Sequence, residues 1–154
     1  MRLTIIGCSG SFPGPDSPAS CYLVDTEHEG RTWRILLDLG SGALGALHRY
    51  ADPLGVDAVL LSHLHPDHCS DIAGYYVMRK YHPDGPQPRI PVFGPRGTAK
   101  RMATSYGLPA QPGMNKELLP GPRRGRGDRA RTVHDLGGQG RAPGRCVRDQ
   151  GLAR

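Results

Sequence analysis

The segment Val59-Leu60-Leu61-Ser62-His63-Leu64-His65-Pro66-Asp67-His68 constrains this chain more than any other. The apolar run from Val56 to Leu61 is too short for a helix of its own and reads as a buried strand, placed at 57–62. It ends abruptly in three histidines and a carboxylate within six residues. A change from apolar to ligand-rich at that point marks a site at a strand's end. Imidazole and carboxylate are the ligands that suit zinc and its divalent neighbours. Alternate residues of an extended chain share a side, so His63 and His65 can reach one ion while Asp67 and His68, on the following turn, reach a second. The competing reading is a solvated histidine-rich turn. That suits a lone histidine better than four ligand groups in H-x-H-x-D-H order.

The flanking chain alternates strand and helix patterns, which places it in the α/β class. Residues 2–7 read as a first strand, and 8–20, rich in Gly, Pro and Ser, as a loop. Residues 21–25 and 32–39 read as strands joined by a polar connection at 26–31, in which Gly30 can supply a positive φ and His28 is solvated. Trp33 and Leu37 share one face of the second strand, with Ile35 partway, and Asp38 closes it where the chain must bend. Helices are expected at 43–50, 71–82 and 96–106, the last ending at Gly107, with a short strand at 90–93. Ile72, Tyr75, Tyr76 and Arg79 recur at helical spacing beside Val77 and Met78, so the aromatics read as core rather than as a base-stacking platform. His82, beyond the last turn of that helix, reads as a helix-end residue.

One rival motif lies in the same stretch. Gly40-Ser41-Gly42-Ala43-Leu44-Gly45 matches G-x-G-x-x-G, follows a strand and opens a helix, the context of a dinucleotide-binding turn and of an NAD(P)-dependent oxidoreductase acting through Gly40, Gly42 and Gly45. The acidic residue that such a fold places about 20 residues on, at the end of the next strand, is missing. The histidine cluster stands there instead.

His63-Leu64-His65-Pro66-Asp67-His68, preceded by a strand and by Asp38-Leu39-Gly40-Ser41-Gly42, resembles the metallo-β-lactamase fold of metallohydrolases. Leu3 to Ser11 and Val92-Phe93-Gly94-Pro95 are more similar to the ribonuclease Z and class II cyclic-nucleotide phosphodiesterase branch, and 14–20 and 43–47 to an actinobacterial group within it. The resemblance covers roughly residues 1 to 116 and implies the amino-terminal half of an αββα sandwich. It implies metal-dependent hydrolysis of a phosphodiester, in an RNA 3′ end or a cyclic nucleotide, by a hydroxide bridging two zinc ions, with manganese or iron as alternatives. His63 and His65 would bind the first metal, Asp67 and His68 the second. Asp67 and Asp38 are the candidate catalytic carboxylates, Asp38 by orienting a ligand imidazole. Its competing reading is a helix cap or turn residue. The family's third histidine on the first metal, its bridging aspartate and a further histidine belong to the other half, so this chain is expected to be truncated and inactive. A homodimer is compatible with the resemblance.

Composition refines this picture at the carboxyl end. The net charge of +6 divides into +1 for residues 1–116 and +5 for 117–154, so the basicity belongs to the tail. Of those last 38 residues, 20 are Arg, Gly or Pro and none is aromatic, a composition without strand or helix periodicity that is expected to be disordered. It is also what GC-rich coding DNA yields out of frame; the alternative is a genuine basic tail for nucleic acid or a partner. His134-Asp135 is not assigned as a ligand pair. The partition is therefore 1–116, a partial metallo-β-lactamase domain, and 117–154, an Arg/Gly/Pro-rich tail. Cys8, Cys21, Cys69 and Cys146 form no C-x-x-C pair and read as reduced thiols, Cys69 not being assigned as a ligand despite its place beside His68. No apolar run approaches ~20 residues and no signal pattern precedes the first strand, so a cytoplasmic protein without membrane contact is expected. A nonenzymatic fragment or metal-binding module remains the alternative from another class.

Overall fold

The computed structural model of the chain describes residues 1–111, 113–116 and 119–120. One mixed sheet carries six strands in sequence order: β1 (Arg2–Gly7), β2 (Cys21–His28), β3 (Arg31–Leu37), β4 (Ala58–Leu60), β5 (Pro91–Phe93) and β6 (Leu119–Pro120). The first three pair antiparallel, and β3 through β6 pair parallel. Parallel neighbours need crossovers, and helices supply them. Helix α1 (Ala43–Leu47) links β3 to β4, α2 (Pro66–Cys69) and α3 (Ile72–Lys80) link β4 to β5, and α4 (Thr98–Tyr106) leads toward β6. The sequence pattern does not reveal α2. It is a single turn inside the ligand motif, started by Pro66 at its first position, where a fixed φ and a missing N–H cost nothing.

The β2–β3 hairpin is tighter than its polar composition implies. Glu29 and Gly30 both have positive φ, 52° and 73°, as a two-residue type I′ turn requires. The strands therefore extend through Thr26–His28 and Arg31, residues the sequence pattern places in the connection. Cross-strand contacts stabilise this end: Glu27 bonds to Thr32, and the Arg31 guanidinium lies 4.0 Å over the Trp33 ring. His28 is exposed at the end of β2.

The core lies on one face of the sheet. Cys21, Leu23, Leu36, Val59 and Val92 pack with Leu47 of α1, Ile72, Tyr75 and Tyr76 of α3, and Met102 and Ala103 of α4. Trp33, Ile35 and Leu37 do share a face, but the one turned away from the helices, because the alternation of β3 gives the core position to Leu36. On that outer face Leu3 and Ile5 are 60% and 55% exposed, and Trp33 and Phe93 are exposed as well. Among the described residues no helix is long and apolar enough to cross a membrane. Strand β6 falls beyond residue 116, paired to β5. His134, Asp135, Cys146 and the rest of the stretch from residue 121 lie outside the described residues.

Candidate metal centre

The site is assembled first by backbone. Strands β3 and β4 run parallel, and the amide of Asp38 bonds to the carbonyl of Leu60 at 2.8 Å just past the end of β3. The amide of Leu61 bonds to the carbonyl of Phe93 at 2.8 Å, so the carboxyl ends of β3, β4 and β5 stand side by side. Crevices beyond such strand ends are where open α/β sheets bind ligands. The chain leaves β4 after Leu60 and reaches an extended His65, from which α2 turns it back on itself. That reversal sets Asp67 and His68 against His63.

Ligand atoms of His63, Asp67 and His68 lie within 4.8 Å of one another. The His68 Nε2 is 3.2 Å from Asp67 Oδ2, and the rings of His63 and His68 are 3.8 Å apart between centroids. His65 stands at the margin: its ring meets that of His63 edge-on at 4.8 Å, and it is exposed. The structure thus gathers three of the four ligands expected from sequence into one group and leaves His65 beside it.

Asp38 stands behind this group and is nearly buried, at 6% exposure. Its Oδ1 accepts the Ser62 amide at 2.7 Å, and its Oδ2 accepts the Ser62 hydroxyl at 2.8 Å and faces His68 Nδ1 at 2.7 Å. An ionised carboxylate can only accept, so the proton of neutral His68 resides on Nδ1. Nε2 is left as a lone-pair donor on the side of Asp67. A carboxylate that fixes the tautomer of a ligand imidazole in this way recurs at metal sites. The backbone of Asp38 has φ of 60°, a left-handed conformation that Asp tolerates better than most residues. Ser62, which sequence reasoning passed over, completes the arrangement, its Oγ also lying 3.1 Å from His63 Nδ1. The available signal was position: it is the hydroxyl between the apolar run and the first histidine.

The glycine pattern has a different purpose from the one its spacing suggests. A Cβ on Gly40 would lie 1.9 Å from the carbonyl oxygen of Asp67, so only glycine lets this loop approach the ligand turn. Neighbouring bonds fix the approach: the Leu39 amide to the His68 carbonyl at 2.9 Å, and the Ser20 amide to the Asp67 carbonyl at 3.1 Å. The amides at the start of α1 point not to an open cleft but to Asp71, whose Oδ2 accepts from Leu44 at 2.9 Å. The nearby amides of Gly42 and Ala43 also favour the charged form of that carboxylate. Burial pushes the Asp71 carboxyl up and these amides pull it down. A Cβ on Gly45 would meet nothing. The place where a pyrophosphate would sit in a dinucleotide fold is therefore occupied by a side chain of the protein itself, which removes the oxidoreductase reading.

The neighbouring thiols stay out of the donor group. Burial pushes the Cys21 thiol up to about 12, and burial likewise raises Cys69, whose Sγ donates to the His65 carbonyl at 3.2 Å. Two imidazoles and a carboxylate, one imidazole held in the ligating tautomer, fit a divalent cation of the zinc class. Such a group can bind a metal at the carboxyl ends of the parallel strands.

Comparison with known proteins shows the family of the chain. The uncharacterized protein Rv1339 of Mycobacterium tuberculosis is 50% identical over 105 residues, which are 68% of this chain and 37% of that protein. A ribonuclease Z of Haloferax volcanii is 35% identical over 74 residues, 48% of this chain and 22% of the relative. The chain thus spans well under half the length of these relatives. The crystal structure of the metallo-beta-lactamase fold protein YhfI from Bacillus subtilis aligns with a TM-score of 0.53 at 33% identity, covering 60% of this chain and 37% of that one. The model of the metallo-beta-lactamase superfamily matches residues 14–145, most of the sequence and every residue of the centre, and the chain belongs to that superfamily.

Proposed function

We propose that this chain supplies the metal-binding part of a phosphodiester hydrolase, acting on an RNA 3′ end or a cyclic nucleotide. The observation that carries the reading is the bond from His68 Nδ1 to the buried Asp38, which prepares Nε2 for a metal. In this reading His63, Asp67 and His68 hold a divalent ion, zinc or else manganese or iron, with His65 able to turn toward the same centre. Bound there, the metal would lower the pKa of water and neutralise charge on phosphoryl oxygens. The protein's own part is orientation. Asp38 holds the imidazole of His68 in one tautomer, Ser62 ties that carboxylate to the end of β4, and Gly40 lets the loop close against Asp67. Asp67 combines a ligand position with a carboxylate in contact with the site, which makes it the catalytic candidate.

Phosphodiester rather than lactam chemistry is supported by the ribonuclease Z relative, whose name describes action on RNA. His63, Asp67 and His68 are enough for one zinc, but a hydroxide bridging two ions needs more ligands than the four groups of this motif. We therefore infer that the 154-residue chain binds metal and is inactive by itself. The test measures metal content and hydrolysis of bis(p-nitrophenyl) phosphate and of nitrocefin, for this chain and for the full-length mycobacterial relative. Metal in both proteins, and phosphodiester turnover by the relative alone, is the expected result. Efficient nitrocefin turnover without phosphodiester turnover would contradict the reaction class, and failure of this chain to retain zinc would contradict the site.

A further inference from the structure

The carboxyl end of α3 borders a concave site. Between α3, the loop at 83–90 and the start of β5 lies a cavity of about 530 Å³, a size that suits a small organic molecule. Its walls are apolar at Ile72, Ile90 and Val92 and aromatic at Tyr75 and Tyr76. Arg79, Lys80 and Arg89 also line it, and none of its lining residues is acidic.

Arg79 is the informative member. Its Nη1 donates to the Leu54 carbonyl at 3.3 Å and to the Tyr75 hydroxyl at 3.1 Å, and its Nη2 to the Pro88 carbonyl at 2.6 Å. Its Nε is buried without a hydrogen-bond partner. Every acceptor is neutral, so among the described residues the guanidinium is fixed in place with no carboxylate against it. Charges attract more strongly beside an apolar wall than in water, and guanidinium suits carboxylate, sulfonate and phosphate geometries alike. The Tyr75 hydroxyl is already committed, donating to the Pro53 carbonyl at 2.7 Å, which leaves its ring as wall.

We propose that this cavity binds a small amphipathic organic anion, its apolar body against Tyr75, Tyr76 and Ile90 and its single charged head at Arg79. The site uses no residue of the metal centre, so it stands or falls independently of the hydrolase reading. An aromatic acid and a short acyl acid share this chemistry.

The probe is 1-anilinonaphthalene-8-sulfonate, titrated by fluorescence into the 154-residue chain with EDTA present, so that no metal offers a second anion site. Gln87 lines the cavity, so Gln87→Glu adds a negative charge there with little change of side-chain size, at the loss of the bond that its Nε2 donates to the Gly85 carbonyl at 3.0 Å. Saturable binding is expected, weakened at least about tenfold by Gln87→Glu and by Arg79→Met but retained by Arg79→Lys. The uncharged N-phenyl-1-naphthylamine should bind wild type and Gln87→Glu alike. Thermal melts accompany each variant, and Gln87→Glu carries the test if Arg79→Met unfolds. Displacement by 1-naphthoate or by decanoate identifies the aromatic or the acyl source. Equal dye affinity in wild type and a natively melting Gln87→Glu would overturn the proposal, as would displacement by neither acid.

Discussion

Replacing Asp38 by asparagine should separate tautomer control from folding. Asparagine keeps the shape and tolerates the left-handed backbone at φ 60°. Its Oδ1 can still accept the Ser62 amide now bonded at 2.7 Å. The Nδ2 that replaces Oδ2 is a donor, and it faces His68 Nδ1 at 2.7 Å, which must then become an acceptor. The ring proton moves to Nε2, the atom that would bind metal. Loss of such a partner typically costs 10- to 100-fold in metal affinity, or about 1.4–2.8 kcal/mol. Folding should suffer less, roughly 1 kcal/mol for a charge-assisted bond exchanged for a neutral one. Asp38→Ala is the contrasting variant. It strands the Ser62 amide, for about 1–3 kcal/mol, and puts a Cβ without polar function into the left-handed region, for about 1–2 kcal/mol more. Zinc affinity would be measured by competition with a chromogenic chelator, stability by urea unfolding and the His68 tautomer by ¹⁵N chemical shifts. Asp38→Asn that binds zinc as tightly as wild type, with His68 Nδ1 still protonated, would refute the account.

Four further outcomes are expected. Gly40→Ala should lose about 1–3 kcal/mol or more, since its Cβ meets backbone at 1.9 Å, whereas Gly45→Ala, inside α1 with open space, should gain about 0.5–1 kcal/mol; paired thermal melts decide this, and equal effects would contradict the packing described. Calorimetric titration should show zinc binding cut most deeply by alanine at His63, Asp67 or His68, and least by His65→Ala, because His65 lies outside the close group. Leu23→Ala, at a fully buried position, should cost about 2–5 kcal/mol in urea unfolding, whereas Ile5→Thr on the outer face should change stability by less than about 0.5 kcal/mol while reducing light scattering on heating. Iodoacetamide at pH 8 should label exposed Cys8 in the native chain and spare Cys21, whose thiol burial pushes up to about 12, and buried Cys69; rapid labelling of Cys21 would show that the core described here does not persist in solution.

The amino-acid sequence alone located the candidate centre of this protein. An apolar run that ends at Leu61, just before three histidines and a carboxylate, reads as a strand end carrying ligands, because both signals lie within ten or so residues. The alternation of strand and helix likewise announced the α/β class, and the bounds of β1 were legible from its β-branched residues. What tertiary structure decided involves residues far apart in the chain. The sequence could place Asp38 at a bend, but only the parallel pairing of β3 with β4 brings it to Ser62 and His68. Gly40 was legible as a glycine, and its reason, the Asp67 carbonyl, lies 27 positions away. The same distance separates Leu44 from Asp71, the bond that turns a dinucleotide-like motif into a self-capped helix. Strand alternation showed that Trp33 and Leu37 share a face; which face holds the core depended on where the helices pack. Local chemistry follows from neighbours in sequence, whereas orientation of that chemistry requires partners that only folding brings into contact.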